Sequence, residues 1–282
     1  MIRAAVLGAP IEHSLSPVIH QRAYEILGWN WRYERHEVHA GQLEKFLENN
    51  RGYFRGLSLT MPLKEEALRV IDSISDLGKR VNGVNTLIFD ELHVRGENTD
   101  VQGFIDALKF HQILVPKVVT ILGGGATARA AIAAVDGISE RINVFSRSAH
   151  RAKALVNSAT KSIVNIYEWR ELAESHRAIE NADSFGMKAE LVIATTPIGA
   201  TDQLQITGTS QTLFESLYHP WPTALLRNWR DSGGFGLDGL DLLIWQAIGQ
   251  LELMNLSDGK VQERRTELYH EMRSSALSIL AQ

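Results

Sequence analysis

In Ser58-Leu59-Thr60-Met61-Pro62-Leu63-Lys64-Glu65-Glu66 a lysine stands at the expected start of a helix, directly after a proline that closes an apolar strand. A helix N-terminus carries roughly half a positive charge, so a cation there costs about 0.3–1 kcal/mol where Asp or Glu would stabilise. The placement calls for a partner or a reacting group, and a lysine ammonium can hold an anion or pass a proton. Glu65 and Glu66 would offset the unfavourable dipole. Loops after the neighbouring elements add Thr60, Asn85 and Asp100, which with Lys64 make a donor-rich set suited to ring hydroxyls or a carbonyl. Asp100 also reads as the cap of the helix that follows it.

Two further clusters have chemical character. His13-Ser14-Leu15-Ser16-Pro17 puts two hydroxyls at a helix N-terminus in the loop leaving the first strand, a combination that invites an anion such as a carboxylate. Ser16 before Pro17 is equally an ordinary N-cap. Gly123-Gly124-Gly125-Ala126-Thr127-Ala128 fits G-x-G-x-x-A between an apolar strand and an Ala-rich helix, where glycines permit the tight turn and the helix start meets a pyrophosphate. A glycine-rich turn that binds nothing has the same pattern. About twenty residues on, where an NAD site presents an acid to the ribose, the chain has Ser146-Arg147-Ser148 and then Arg151. With no carboxylate for a 2′-hydroxyl and two guanidinium groups for a 2′-phosphate, the pattern favours NADP; solvated surface arginines are the alternative.

These clusters must be held by an alternation of short apolar runs and helical periodicity that predicts α/β structure with parallel sheets. Strands are expected at RAAVLG, WRYERHEV, FRGLSLT and the hairpin-like pair GVNTLIFD and HVRG. Helices are expected from Ser16 to the Gly28 stop, with Ile19, Ala23, Ile26 and Leu27 on one face, and over GQLEKFLEN, LKEEALRVIDSI and a stretch starting near Asp100. A second unit begins at Val118 with VVTILG, the glycine turn and its helix, then RINVFSR, HRAKALVNSA and AELVIATTP. Residues 200–236 read mainly as loops. Two helical patterns, LDGLDLLIWQAIGQLELM and VQERRTELYHEMRSSALSILA, close the chain and are expected to pack back on one of the sheets.

Composition excludes several classes of function. At 282 residues the chain has room for about two domains, and 44% apolar with 22% charged residues is ordinary for a globular protein. A net charge of −4 without a basic stripe argues against nucleic acid, and the N-terminus, running straight into a strand, suggests neither a signal peptide nor a membrane anchor. There is no cysteine, which suits a reducing cytoplasm, and the ten histidines lack paired ligand spacing, so no metal is expected.

Taken with their order, GAPIEHSLSP, LTMPLKEEA, GVNTL, GENTDVQGF, ILGGGATARA and DGLDLLIWQA identify a resemblance that spans nearly the whole chain. The chain resembles the shikimate dehydrogenases, NADP-dependent enzymes that reduce 3-dehydroshikimate in aromatic amino-acid (chorismate) biosynthesis; LTMP and YHPWPT look most like the actinobacterial branch. The resemblance implies a substrate-binding domain over 1–100, a Rossmann NADP-binding domain over 101–236 and closing helices over 237–282 that return to the first domain. It also implies that Lys64 is the catalytic lysine and Asp100 its partner. Substrate-binding positions then fall on Ser14, Ser16, Thr60, Lys64, Asn85, Asp100, Tyr218 and Gln246. Cofactor positions fall on Gly123, Gly124, Gly125, Ala126, Thr127, Ser146, Arg147, Ser148, Arg151, Thr196, Ser216 and Gly239.

Ala126, Ser146, Ala194, Asn82-Gly83, Glu97 and Val101 depart from the family pattern, and none of these changes removes a reacting group. The expected partners are small molecules, with a monomer or homodimer as the assembly. Quinate or an aminoshikimate analogue would be the alternative substrate. A non-catalytic NADP sensor on the same scaffold is the rival from another class, and the retained Lys64 and Asp100 speak against it.

Overall fold

Unbroken apolar runs form the centres of two sheets, and the alternating runs lie at their edges. The computed structural model of the chain describes residues 1–90, 93–147, 152–174, 190–204, 206 and 209–281. The chain divides into two units, unit 1 comprising Met1–Gly103 with Leu243–Gln282, and unit 2 Phe104–Leu242.

Among the described residues unit 1 holds β1 (Ile2–Gly8), β2 (Trp31–Glu37), β3 (Gly56–Leu59), β4 (Ser73–Ile74), β5 (Thr86–Asp90) and β6 (His93–Glu97), in the order β2-β1-β3-β5-β6-β4. β2, β1 and β3 are parallel, β5 runs antiparallel to β3 and β6, and β4 is parallel to β6. The inner strand β3 is buried throughout, whereas β2 alternates, with Trp31 and Tyr33 buried and Arg32 and Arg35 exposed. That is the pattern of a strand with one covered face. Helix α1 (Ser16–Leu27) starts with Pro17 in its first turn and ends at Gly28, whose φ of 69° lets its N–H reach the Glu25 and Tyr24 carbonyls. The expected face is buried at Ile19, Ala23 and Leu27; Ile26 is half-buried, and His20 and Tyr24 join the core. The closing helix Arg265–Leu280 packs on α1, where Arg22 pairs with Glu271 at 2.5 Å and Arg264 donates to the Ile26 carbonyl.

The segment LKEEALRVIDSI is not the long helix its pattern predicts. After α2 (Leu43–Asn49) and β3, α3 covers only Leu63–Glu66, a 3-10 turn follows over Ala67–Arg69, and the chain then extends into β4. Sheet pairing outweighs helix propensity here: Asp72 N–H donates to the Val94 carbonyl, Ser75 N–H to the Gly96 carbonyl, and Ile74 pairs with Gly96. Ile71 occupies the space a side chain at Gly96 would need. Next come α4 (Asp76–Arg80), capped by the Ser75 hydroxyl, the β5–β6 pair and α5 (Asp100–Phe110).

Unit 2 is a doubly wound parallel sheet. Its described strands are β7 (Val118–Leu122), β8 (Arg141–Ser146), β9 (Ile163–Glu168), β10 (Leu191–Ala194), β11 (Thr212–Glu215) and β12 (Phe235–Leu237), ordered β12-β11-β10-β7-β8-β9 and parallel throughout. Numbered within the unit, this is 6-5-4-1-2-3, the Rossmann order, with its switch point between β7 and β10. Helix α6 (Ala126–Val135) follows β7.

The stretch 200–236, expected to be mainly loop, holds β11, a helix over Ala224–Asp231 and β12. Thr223 Oγ1 caps that helix by accepting from Leu226 N–H, and Leu225, Leu226 and Trp229 are buried beneath it. The chain leaves unit 1 within α5 and re-enters it within the helix Gly239–Met254.

His20 is fully buried in unit 1. Its Nδ1 donates to the Ser16 carbonyl at 2.9 Å, and its ring stacks on Tyr33 at 3.9 Å between centroids. Burial pushes its pKa down from 6.5 to about 4, against the Ser16 carbonyl and the Gln250 side chain, which favour the charged form. The unfolded chain therefore binds the proton first, and the stability that His20 contributes at neutral pH is lost as the pH falls from the unfolded value toward the folded one. Denaturant unfolding at about pH 7 and about pH 5 should show the parent losing about 2 kcal/mol more than His20→Gln; equal losses would contradict the buried neutral ring.

Candidate functional site

The parallel strands β1 and β3 and the outgoing strand β6 all end at one edge of the unit 1 sheet, and the antiparallel β5 begins there. The residues leaving those ends are Ser14 and Ser16 after β1, Thr60 and Lys64 after β3, Asn85 before β5 and Asp100 after β6. Gly8 and Thr60 lie so close that a side chain at Gly8 would overlap the Thr60 methyl.

Lys64 lies in a single helical turn, too few aligned peptides to sum to the dipole expected of a long helix. The electrostatic cost inferred from the sequence does not arise, and Glu66 does something else: its carboxylate accepts from Gly41 and Leu43 N–H at the start of α2. What holds the lysine is Asp100, whose Oδ2 accepts from Lys64 Nζ at 2.6 Å with the two side chains 6% and 16% exposed.

The carboxylate does not cap α5. That task falls to Asn98, whose Oδ1 accepts from Asp100 and Val101 N–H at 3.0 and 3.3 Å while its Nδ2 donates to the Gly83 carbonyl. Asp100 is thereby free to point at Lys64 and Asn85.

The amide of Asn85 has only one possible orientation. Thr99 N–H can only donate and lies 2.8 Å from Asn85 Oδ1, so Asn85 Nδ2 faces Asp100 Oδ1 at 2.8 Å, Thr99 Oγ1 at 2.9 Å and Gln246 Oε1 at 3.3 Å. Both oxygens of Asp100 thus meet donors, as suits a carboxylate. Gln246 is fixed in turn by donating from Nε2 to the Leu243 carbonyl, and Gly103 on α5 allows the backbone at Gln246 to come close. The structure therefore brings Lys64, Asn85, Asp100 and Gln246 into one hydrogen-bonded cluster. Ser14 Oγ accepts from Ser16 N–H at 3.3 Å, and among the described residues the hydroxyls of Ser16 and Thr60 have no hydrogen-bond partner. Three free or lightly engaged hydroxyls and an ammonium, all on segments leaving one edge of the sheet, can bind a polyhydroxylated anion, and the ammonium can donate a proton to an oxygen that gains charge. Thr86, Thr99 and Asn98 escaped the sequence reading, although Asn98-Thr99 stands directly before Asp100 in GENTD.

In unit 2 the glycine loop has the features of a nucleotide cradle. Gly123 has φ 121°, and a side chain there would overlap Thr195 Oγ1. Gly125 is the N-cap of α6 without any side-chain cap, the first turn has no acid, and Ala126 and Thr127 open the helix. Beside the loop, at the end of β10, the buried Thr196 Oγ1 has no hydrogen-bond partner, which leaves a polar atom for a ligand to satisfy. Gly124 completes the turn, Ser146 is buried at the end of β8, and Arg147 next to it is exposed. Ser148 and Arg151 lie outside the described residues.

Ser216 follows β11 and donates its N–H to the Ala194 carbonyl at 2.9 Å; Tyr218 is half-buried two residues on. That loop is fastened by Glu215, whose carboxylate accepts from Leu217 N–H at 3.1 Å and Thr223 Oγ1 at 3.2 Å. Burial pushes the Glu215 carboxyl up to about 7 against those hydrogen bonds. Gly239 presses on the same loop, since a Cβ there would overlap the Leu217 carbonyl group and fall 2.6 Å from Tyr218 N. These features fit a dinucleotide. No group of three or more metal-ligating side chains occurs among the described residues.

Residues 6–87 match the family model of the shikimate dehydrogenase substrate binding domain. The chain is 33% identical over 246 residues to a shikimate dehydrogenase (NADP(+)) of Thermus thermophilus, covering 87% of this chain and 89% of that one. It superposes on shikimate dehydrogenase from Mycobacterium tuberculosis with a TM-score of 0.82 at 28% identity, over 99% and 100% of the two chains. A shikimate 5-dehydrogenase from Thermus thermophilus, solved in complex with NADP(H) and shikimate, matches with a TM-score of 0.77 at 30% identity, over 98% of this chain and 100% of that one.

The close approach at Gly239 can be tested directly. Gly239→Ala must displace backbone rather than a flexible side chain, so it should lower unfolding free energy by about 1–3 kcal/mol and weaken dinucleotide binding, both measurable by denaturation with and without NADP. An unchanged transition would mean the loop yields freely.

Proposed function

The chain belongs to the shikimate dehydrogenase family, and from that premise we infer that it catalyses the reversible NADPH-dependent reduction of 3-dehydroshikimate to shikimate. The observation that carries this reading is the pair of Lys64 Nζ and Asp100 Oδ2 at 2.6 Å, with Asn85 on the other carboxylate oxygen. A protein that only sensed the nucleotide would have no use for it.

Unit 1 is assigned the substrate and unit 2 the cofactor. In unit 1, Ser14 and Ser16 take the substrate carboxylate at the start of α1, and Thr60, Asn85 and Gln246 take the ring hydroxyls; Tyr218 keeps the substrate-binding role that the family resemblance implies. In unit 2, Gly123, Gly124, Gly125, Ala126 and Thr127 hold the pyrophosphate, Ser146, Arg147, Ser148 and Arg151 the 2′-phosphate, and Thr196, Ser216 and Gly239 complete the site.

NADPH, when bound, supplies the hydride that adds to the C3 carbonyl carbon. Lys64 donates the proton taken up by the carbonyl oxygen, so the developing negative charge meets an ammonium already in place. Asp100 keeps that ammonium aimed and is itself held by Asn85. In the reverse direction Lys64 accepts the hydroxyl proton. We place the enzyme in the cytoplasm as a monomer or homodimer, a compartment that suits a chain without cysteine. No helix among the described residues is long and apolar enough to cross a membrane.

The direct test is reduction of NADP, followed by the absorbance of the reduced nicotinamide, first with shikimate and then with quinate. Shikimate should be preferred by kcat/KM, and NADP binding without turnover would favour a sensor. Lys64→Ala should lower kcat by about 10²–10⁴. It also strips Asp100 of its cation, so unfolding free energy should fall by about 3 kcal/mol, and Asp100→Asn in the same chain should restore stability without restoring rate. A single variant within threefold of the parent in kcat would remove Lys64 from the mechanism.

Cofactor choice has its own test. Arg147→Ala should raise the NADP KM by about 10-fold or more and leave the NAD KM nearly unchanged, because each lost hydrogen bond to a charged group is worth about 1.5–3 kcal/mol. Equal use of the two cofactors by the parent would contradict the assignment.

A further inference from the structure

A second chain of hydrogen bonds reaches Asn85 from β2, β3 and the helix Gly239–Met254. Thr86 Oγ1 donates to Asn85 Oδ1 at 2.9 Å, so it must accept from Gln250 Nε2, 3.0 Å away. With its Nε2 committed, Gln250 presents Oε1 to Ser58 Oγ at 2.8 Å, and Ser58, its proton spent there, accepts from the Tyr33 phenol at 2.5 Å. Gln250 Nε2 also reaches the Asn85 carbonyl at 3.4 Å. Thr86, Gln250, Ser58 and Tyr33 are all buried, Gln250 to 1% exposure, so water cannot substitute for a missing member. Every link has one allowed sense, set by the Thr99 N–H, and the chain ends on the amide that holds Asp100.

We propose that Gln250 is a positioning residue of this active site: through Thr86 it fixes the rotamer of Asn85, and so the orientation of Asp100 and Lys64. The proposal rests on the dehydrogenase reading for its kinetic consequences, but its geometry stands apart from that reading. Gln250 touches neither Lys64 nor Asp100. Its amide is the one group that can both accept from Ser58 and donate to Thr86 in this arrangement. The other titratable groups along the chain are Tyr33, whose phenol burial pushes well up, and His20, which burial pushes down to about 4. Neither changes charge near neutral pH in the parent; the Gln250 side chain also lies against His20, so a new inflection in the variant belongs to the introduced carboxyl together with His20.

Gln250→Glu keeps the shape and makes the donor depend on a proton. With the introduced carboxyl protonated, its O–H donates to Thr86 and the chain runs as in the parent. Ionised, it presents an acceptor to Thr86, whose own proton must turn away from Asn85 to meet it. The ratio of variant to parent kcat should therefore fall by about 10-fold or more as the pH rises through the inflection of the introduced group, the cost of about one buried hydrogen bond, with the NADP KM unchanged. Thr86→Val interrupts the same chain one link on and should lower kcat without any such inflection. The double variant should be no slower than the slower single one by more than about 2-fold, because both act through Asn85.

Hydrogen exchange of the Asn85 side-chain amide, read by NMR, gives the second readout: slow in the parent, faster in Thr86→Val and in the ionised Gln250→Glu. A pH-independent ratio, multiplicative losses or an unchanged Asn85 exchange rate would overturn the proposal. If the parent turns over no shikimate, the functional reading fails, and the exchange rates still decide the positioning claim.

Discussion

A backbone N–H can donate and never accept, and the one on Thr99 lies 2.8 Å from Asn85 Oδ1. The polar centre of unit 1 depends on that constraint. It turns Asn85 Nδ2 toward Asp100 and obliges the carboxylate to be an acceptor there, which leaves the second oxygen for Lys64. Thr99 can serve in this way because Asn98 sets the start of α5 with its own side chain. One Asn thus ends a strand and starts a helix, and the next residue polarises the network. The pair of Lys64 and Asp100 inherits its geometry from backbone structure rather than from its two side chains alone.

Much of this was legible in the sequence, and the reason differs from element to element. Lys64, Asp100 and the glycine loop occur as runs of chemically loaded residues next to punctuation by Pro or Gly, which local reading detects. Rossmann topology follows from β7, the turn and α6, whose apolar run and helical period are unmistakable. Gln250, Ser58, Thr86 and Tyr33 were not legible, because each is an ordinary polar residue that matters only once non-local pairing has brought β2, β3, β5 and the helix Gly239–Met254 together. Residues 63–74 misled for the opposite reason. Their period is helical, but pairing with β6 and the space above Gly96 decide the outcome. β11 and β12 are four- and three-residue strands among Trp, Pro and Gly, too short to establish a period.

Burial acts on a titratable group in each unit with opposite effect. His20 is held neutral and so resists acid, whereas Glu215, raised from 4.5 to about 7, holds its proton longer in the folded state than in the unfolded one. Acidification through neutrality strains unit 1 and relieves unit 2. Both groups serve placement: His20 anchors the first turn of α1 at the Ser16 carbonyl, and Glu215 ties down the loop of Ser216 and Tyr218. Each unit accepts a desolvation cost to hold a segment that bears candidate site residues.

The division of the chain also fixes an order of events during synthesis. Unit 2 is one uninterrupted stretch, Phe104–Leu242, whereas unit 1 is built from two stretches on either side of it. Because the N-terminus emerges first from the ribosome, unit 2 can close its sheet while Gln246, Gln250 and the closing helix that packs on α1 are still unmade. Until they arrive, Asn85 and Thr86 have no partners from that helix. The polar centre of unit 1 is therefore completed only by a segment translated after unit 2, and a nascent chain interrupted between the two would carry a Rossmann sheet with that centre unfinished.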